Sequence, residues 1–305
     1  MNGEITLEPK YNDEKFCSLR FFPYLCAQRT RTKMDFRTIV DIPKPLFLIE
    51  PLEEILFVGS CFADAIGHRF DEEHFPVIVN PYGVMYNPVS VLHTVKKWIA
   101  RRQEEGGGDI SRVVFITLGT NHVYRLKETG EIVDNCQKRP QSLFNEEELS
   151  VSECADYLAQ AVEELLRCRA DAHIVVTVSP IRYAKYGFHG SQLSKATLLM
   201  AADELCQRYD CVSYFPAYEI VLDELRDYRF YQPDMLHPSQ QTVDYIWERL
   251  SEIYLSPLAK QFVHDWQPIK AALRHKPFHP DSDEYQQFLA QAKKKEADLL
   301  SRVRI

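Results

Sequence analysis

The sequence predicts an α/β protein, a three-layer αβα sandwich built around a mainly parallel sheet. Short apolar runs, rich in β-branched residues, alternate along the chain with segments of helical length. The runs are almost continuously apolar, which is typical of strands buried on both faces of a parallel sheet. Right-handed crossovers between such strands place helices on both sides of the sheet. The predicted strands cover residues 55–58, 77–79, 113–118, 174–178 and 212–215.

Helices are predicted between these strands. Residues 88–103 repeat apolar side chains at helical spacing. Asn145 followed by Glu148 has the spacing of a capping box, which predicts a helix that begins there and runs toward Arg167. Two further helices are predicted over residues 193–209 and 238–255.

The two ends of the chain differ from the middle, and we expect three segments: an extension over residues 1–33, an αβα domain over residues 34–256 and a helical extension over residues 257–305. The first segment shows no sustained period. We therefore expect that it is dispensable, or that Met34 is the native start. In the last segment an apolar stripe runs beside three consecutive lysines, which predicts a helix packed on the domain with the lysines in solvent.

Composition and charge argue against several classes of protein. Hydrophobic residues make up 45% and charged residues 26% of the chain, which is ordinary for a globular protein. The net charge of −8 disfavours a protein that tracks nucleic-acid phosphates. No apolar run approaches the roughly 18 residues of a membrane-spanning helix. The eight cysteines include no CxxC pair, so no metal site is expected. The N-terminus has no signal-peptide pattern, so we expect a cytoplasmic location and reduced thiols. No cofactor is expected.

The most informative segment is Gly59-Ser60-Cys61, which follows a predicted strand and precedes a helical pattern. A side chain at this bend lies at the carboxyl edge of the sheet, where open α/β proteins hold their ligands. It also lies at a helix N-terminus, where the helix dipole favours a thiolate or a developing oxyanion. The segment therefore predicts a nucleophile, Cys61 or Ser60. The alternatives are that Ser60 caps the helix and that Cys61 is a small buried apolar side chain.

Three further segments reach the same edge. The amide of Asn121 and the backbone N–H of Gly83 each follow a predicted strand, where they can donate hydrogen bonds to an oxyanion. Asp234 and His237 are three residues apart, so one turn can bring the carboxylate to the imidazole and orient it as a base. The alternatives are that Asn121 holds a turn and that His237 opens the next helix.

The five residues 59–63 read Gly-Ser-Cys-Phe-Ala, which is letter for letter the motif that names the GSCFA family. The chain resembles that family over residues 35–255, and the family is similar to the SGNH, or GDSL-type, hydrolases. The resemblance implies a flavodoxin-like αβα sandwich and ester chemistry on acylated substrates. The other blocks that carry it are residues 80–83, Asn135-Cys136 with Lys138, and residues 179–180, 194–196, 214–219, 227–231 and 234–239.

Carried over residue by residue, the resemblance implies a catalytic triad and an oxyanion hole. In the superfamily's first block the nucleophile stands two positions after the glycine. That position is Cys61 here, with Ser60 where an aspartate usually stands, so Cys61 is favoured and Ser60 stays an alternative. The other blocks match Gly83 and Asn121 for the oxyanion hole, and Asp234 and His237 for the rest of the triad.

These residues predict an esterase that acts on acyl esters, with acetyl esters of a carbohydrate or small molecule as the expected substrate. One alternative is an acyltransferase with a hydroxyl acceptor. Another is a glycan- or protein-binding domain without turnover, which the departures from the superfamily pattern at Ser60 and His122 favour. Arg182, Arg226 and Arg229 are candidates to bind an anionic substrate, or else are solvated surface groups. No nucleic-acid or membrane partner is expected.

Overall fold

The structure is a computed structural model, and it describes residues 36–106, 110–134, 136 and 139–303. The elements described below all lie in the unit Ile39–Ile305. The predicted extension over residues 1–33 and the predicted start at Met34 lie outside the described residues.

A parallel sheet forms the centre of the fold. The strands in chain order are β1 (Ile55–Gly59), β2 (Val77–Val79), β3 (Val113–Leu118), β4 (His122–Leu126), β5 (Ile132–Val133), β6 (Phe144–Glu148), β7 (His173–Val178) and β8 (Val212–Tyr214). The central sheet has the order β2-β1-β3-β7-β8, and every neighbouring pair in it is parallel. Its strands are the apolar runs of the sequence, and the order is flavodoxin-like. The predicted fold class is confirmed.

Helices cover both faces of this sheet. They are α1 (Cys61–Glu72), α2 (Pro88–Glu104), α3 (Val151–Cys168), α4 (Gly187–Arg208), α5 (Gln240–Tyr254), α6 (Pro257–Arg274) and α7 (Asp283–Val303). Leu56 and Val58 of β1 pack in a buried cluster with α2, α3 and α4, whereas Ile55 and Phe57 pack with α1 and α5. Alternate side chains of one strand therefore pack into two separate cores, one on each face of the sheet, and this gives the three layers. Within the described ranges, no helix is long and apolar enough to cross a membrane.

A second, smaller sheet is antiparallel, with the order β5-β4-β6. Asn145 lies in β6, where it pairs with Arg125 of β4. The prediction that Asn145 caps a helix is therefore wrong. The helix begins at Val151, and Ser150 and Glu153 form its capping box. Both positions fit the capping pattern in sequence, and the pairing of β6 with β4 decides between them.

The two C-terminal helices, α6 and α7, pack on each other, and α6 packs on the end of α1. The indole Nε1 of Trp266 donates to the backbone oxygen of Glu72, the last residue of α1, at 2.9 Å. Lys270 and Arg274 also contact the Glu72 carboxylate, at 3.3 and 2.8 Å. The helix that begins at Cys61 is thus fixed at its far end by α6. The small buried cluster that joins α6 to α7 consists of Phe262, Trp266, Ile269 and Leu299.

The contact between α1 and α6 predicts an acid-sensitive part of the stability. Burial alone would raise the pKa of Glu72, but hydrogen bonds from Arg274 and Lys270 outweigh it and lower the pKa from 4.5 to about 2. The ionised carboxylate therefore stabilises the fold above about pH 4.5, and this stabilisation is lost as the pH falls toward 2. We expect Glu72→Gln to lower the urea midpoint at neutral pH, and its effect to shrink as the pH falls through this range.

The matched control is Glu128→Gln, which removes an exposed carboxylate at a turn. It should leave the urea midpoint unchanged at every pH. If Glu72→Gln lowered the midpoint by the same amount at neutral pH and near pH 2, the ion pairs of Glu72 would not be the source of the stabilisation.

Candidate active site

The chain turns sharply between β1 and α1, at Gly59. This residue has a φ of +139°, and a Cβ added to it would lie 2.1 Å from the carbonyl oxygen of Thr117 on β3. Glycine meets both demands, because it tolerates a positive φ and has no Cβ. Two hydrogen bonds hold the turn. The N–H of Gly59 donates to the side chain of Asn80 at 2.8 Å, and the N–H of Ser60 donates to the carbonyl of Thr117 at 3.0 Å.

The turn gives Ser60 and Cys61 different surroundings. Ser60 is fully buried. Its hydroxyl bonds to Oγ1 of Thr117 at 2.9 Å and accepts the N–H of Phe62 as the N-cap of α1. Cys61 is the first residue of α1 and lines a cavity of about 450 Å³. The hydroxyl of Ser60 is therefore engaged in the turn, as the capping alternative expects, while the thiol of Cys61 lies beside open space.

The cavity lies between α1 and the segment that leads into α5. Both Cys61 and His237 line it, so the structure brings these two predicted site residues to one cleft. The rest of the wall is part apolar and part polar, and it includes Phe62, Ile181, Val243, Asp64, His68 and Gln232.

Asp234 and His237 form a hydrogen-bonded pair next to this cavity. Nδ1 of His237 lies 2.6 Å from one carboxylate oxygen of Asp234, and the other oxygen accepts the backbone N–H groups of Leu236 and His237 at 2.8 and 3.0 Å. The backbone N–H of His237, followed by that of Leu236 and by the imidazole, lowers the pKa of Asp234 to about 2. The carboxylate is thus charged at neutral pH. Because Nδ1 is held by Asp234, Nε2 is the nitrogen left to exchange a proton.

Arg182 holds the loop that carries this pair. Its backbone N–H donates to the carbonyl of Leu236 at 3.0 Å, and its guanidinium donates to the carbonyl of Met235, also at 3.0 Å. The guanidinium lies 4.3 Å from the ring centre of Phe188 and 5.5 Å from that of Tyr231, at distances typical of cation–π contacts. Arg182 therefore binds the loop itself, through the backbone carbonyls of Met235 and Leu236.

The two oxyanion donors expected from the sequence have other partners. The N–H of Gly83 donates to the carbonyl of Asn80 at 2.8 Å. Asn121 is buried. Its side-chain amide donates to the carbonyl of Leu149 at 2.7 Å, and its backbone N–H donates to the hydroxyl of Ser194 at 3.1 Å. Each expected donor thus already bonds to a backbone carbonyl, and the oxyanion role of Gly83 and Asn121 stays a prediction.

The surroundings of Cys61 keep its thiol protonated at neutral pH. Burial raises the pKa of Cys61 above its ordinary value, and the carboxylates of Asp64 and Asp234 raise it as well, against a lowering by its own N–H and by Lys195. The resting thiolate that a helix N-terminus by itself would favour is therefore not expected here. A base has to remove the proton before this sulfur can attack.

Two positioning residues, Asn80 and Lys195, had no role assigned from the sequence. Asn80 ties the turn to α1, because its amide nitrogen donates to Asp64 at 2.7 Å. Lys195 is 2% exposed and donates to the carbonyl oxygens of Gly119 and Ser179 at 2.7 Å each, which joins the ends of β3 and β7. Burial lowers the pKa of Lys195 to about 7. The sequence signal that could have identified Lys195 is a lysine at a core-facing position of a helix.

The chain belongs to the GSCFA family. The model of that family matches residues 54–107 and 107–250, and the model described as GSCFA domain protein, C-terminal domain, matches residues 266–303. No curated protein matches the sequence.

Several solved structures resemble parts of this fold. A lipolytic protein of the G-D-S-L family from Veillonella parvula DSM 2008 is 13% identical with a TM-score of 0.43, and the match covers 66% of this chain and 98% of that one. TesA is 14% identical with a TM-score of 0.42, covering 68% and 99%. A carbohydrate esterase of family 3 from Talaromyces cellulolyticus is 9% identical with a TM-score of 0.39, covering 70% and 99%.

The turn at Gly59 predicts a large loss of stability for Gly59→Ala. The new methyl group would collide with the backbone of β3, and the positive φ would be strained, so we expect a loss of about 3 kcal/mol or more. Gly130→Ala is the matched control, because Gly130 also has a positive φ, of +72°, but open space around it. It should cost about 1 kcal/mol. Equal urea midpoints for the two variants would show that the close approach to β3 carries no energetic weight.

The hydrogen bonds of Arg182 predict that Arg182→Ala frees the loop that carries His237. We expect hydrogen–deuterium exchange of the backbone amides in residues 232–238 to speed up by about tenfold or more, with β3 unaffected. Arg167→Ala, which removes a surface guanidinium paired with Glu164, should change neither segment. Unchanged exchange in residues 232–238 would mean that Arg182 does not hold the loop.

Proposed function

We propose that this protein is an SGNH-type esterase that hydrolyses acyl esters, acetyl esters foremost, of a carbohydrate or another small hydroxyl compound. The observation that carries the proposal is the cavity that Cys61 and His237 share, with His237 bonded to a charged Asp234. A nucleophile at a helix N-terminus and a carboxylate-oriented imidazole on one cleft are the parts that acyl transfer requires.

The first half of the proposed reaction transfers the acyl group to the enzyme. Nε2 of His237 takes the proton of the Cys61 thiol, and the sulfur forms a bond to the ester carbonyl carbon. The carbonyl electron pair moves onto oxygen and gives a tetrahedral oxyanion. When it returns, the bond from carbon to the alcohol oxygen breaks, and the alcohol leaves with the proton that His237 holds. Asp234 stabilises the imidazolium that exists between the two proton transfers.

The second half returns the enzyme to its starting state. His237 takes a proton from water, the hydroxide oxygen bonds to the thioester carbon, and a second tetrahedral oxyanion forms. The carbon–sulfur bond then breaks, the carboxylic acid leaves, and His237 returns a proton to the sulfur. The raised pKa of Cys61 supports this course. A thiol that is protonated at rest needs His237 as a base, as a serine nucleophile would.

Cys61 is proposed as the nucleophile in place of Ser60. The hydroxyl of Ser60 is buried and already bonds to Thr117 and to the N–H of Phe62. To attack, it would have to give up the helix cap, whose loss costs about 1 kcal/mol. The thiol of Cys61 lines the cavity and needs no such rearrangement.

The lining of the cavity supports a neutral, polar alcohol part of the substrate. Arg69 belongs to the wall, but its guanidinium lies 3.2 Å from Glu73 and 3.0 Å from Asp244, and it also pairs with Glu72. Its charge is therefore matched by carboxylates within the protein. A volume of about 450 Å³ lies in the usual range for small-ligand pockets. A sugar that carries an ester fits these features better than a phosphorylated compound.

The test is ester hydrolysis, measured with p-nitrophenyl acetate and with an acetylated monosaccharide. We expect Cys61→Ala and His237→Ala to lower kcat/KM by about a thousandfold or more, and Asp234→Asn to lower it by somewhat less. Cys206→Ala, at another partly buried cysteine, and His189→Ala, at an exposed histidine, are the matched controls and should keep full activity.

Two results would contradict the proposal. One is a wild-type protein that hydrolyses neither ester, which would leave a binding domain without turnover. The other is hydrolysis that survives in both Cys61→Ala and His237→Ala, because the activity would then arise elsewhere on the surface or from Ser60. A Ser60→Ala variant separates these last two origins.

A further inference from the structure

The proposed esterase has to stabilise an oxyanion, and two of the donors expected for it already have partners. Gly83 and Asn121 bond to backbone carbonyls, as described above. The N–H groups of Gly119 and Thr120 lie at the correct edge of the sheet, but both donate to the carbonyl of Tyr86, at 2.9 and 2.8 Å. The backbone N–H of Cys61, at the start of α1, is one donor at the reacting sulfur, and a second donor has to be sought among the other residues around Cys61.

Tyr183 lies at this edge of the sheet. It follows β7 by a few residues, and Ile181, two positions earlier, lines the cavity. A Cβ added to Gly119 would lie 2.7 Å from the hydroxyl oxygen of Tyr183. The hydroxyl is thus located at the end of β3. This strand pairs with β1, which leads into the turn before Cys61.

The hydroxyl of Tyr183 is buried, and it has no hydrogen-bond partner among the described residues. A buried hydroxyl without a partner costs free energy, so such groups are rare in folded proteins. Burial raises the pKa of Tyr183, and the nearby Cys61 and Tyr86 raise it further. The group therefore keeps its proton at neutral pH and stays a donor.

Neighbouring groups fix the ring that carries this hydroxyl. The ring meets that of Tyr86 edge to face, with centres 5.9 Å apart, and Nζ of Lys195 lies 5.4 Å from its centre. The backbone N–H of Tyr183 donates to the hydroxyl of Ser191 at 3.3 Å. A donor held in place before the reaction costs no reorganisation when charge develops, which is the property an oxyanion hole needs.

We infer that Tyr183 is a catalytic residue whose hydroxyl donates a hydrogen bond to the oxyanion formed during attack by Cys61, in the role that the sequence assigned to Asn121. The inference rests on the proposed esterase function. Lys195 acts behind it as a positioning residue, because it fixes the carbonyl of Gly119 and lies near the ring of Tyr183. Tyr86 is the rival donor near Cys61, but its side chain is 40% exposed and can bond to water.

The test is Tyr183→Phe, which keeps the ring and removes the oxygen. We expect kcat/KM for p-nitrophenyl acetate to fall by about a hundredfold, which is the usual effect of deleting one oxyanion donor. The melting temperature should not fall, because the oxygen that is lost has no hydrogen-bond partner in the described part of the chain. Tyr186→Phe is the matched control in the same segment. The hydroxyl of Tyr186 interacts with Glu146 on the small sheet, so this variant should keep full activity.

A second substrate separates a lost donor from a disturbed site. In the thionoester, the atom that gains the charge is sulfur, which accepts hydrogen bonds weakly. Tyr183→Phe should therefore lose far more activity on the oxygen ester than on the matching thionoester. Equal losses on the two substrates would overturn the inference, since they would indicate a general disturbance of the site.

Three other results would also overturn the inference. If the wild-type enzyme hydrolyses the ester through Cys61 and Tyr183→Phe stays within threefold of it, the inference is wrong and the proposed function stands. If Tyr86→Phe shows the selective loss instead, Tyr86 is the donor and the inference is again wrong. If the wild-type enzyme has no esterase activity that depends on Cys61, the proposed function fails and the inference fails with it.

Discussion

The close approach of β1 to β3 at Gly59 is the contact on which the candidate site depends. No side chain fits between Gly59 and the backbone of Thr117, and the chain turns at Gly59 through a positive φ. The turn directs the hydroxyl of Ser60 into the space next to Thr117 and leaves Cys61 at the start of α1, beside the cavity. One steric constraint thereby distinguishes two neighbouring residues that are both chemically able to act as nucleophiles.

The rest of the site is assembled from loops that leave the same edge of the sheet. Asn80 connects the loop after β2 to the turn, and Arg182 connects the loop after β7 to the segment that carries His237. Lys195 joins the ends of β3 and β7 from α4. Each connection is a hydrogen bond between a side chain and the backbone of another segment. These bonds fix the relative positions of parts that lie far apart in the sequence.

The sequence predicted those features that depend on local pattern. Continuous apolar runs identify the strands of the parallel sheet, and the pair Asp234 and His237 is recognisable because three residues of chain suffice to bring it together. Roles that depend on distant partners were less accessible. The carbonyl that engages Asn121, and the ladder that makes residues 144–148 a strand, belong to other segments of the chain. The hydroxyl of Tyr183 becomes a candidate only from the structure, where it is buried without a hydrogen-bond partner among the residues described.

The central claim is that the acyl group passes through the sulfur of Cys61, and mapping the acyl-enzyme tests it most directly. The protein would be mixed with p-nitrophenyl acetate, quenched in acid within a single turnover and digested, and the peptides would be analysed by mass spectrometry. We expect one acetyl group on Cys61 and none on the peptide from Cys61→Ala. We also expect that His237→Ala forms this adduct far more slowly. An acetyl group on Ser60, or hydrolysis that proceeds with no acetyl group on either residue, would show that the acyl group does not pass through Cys61.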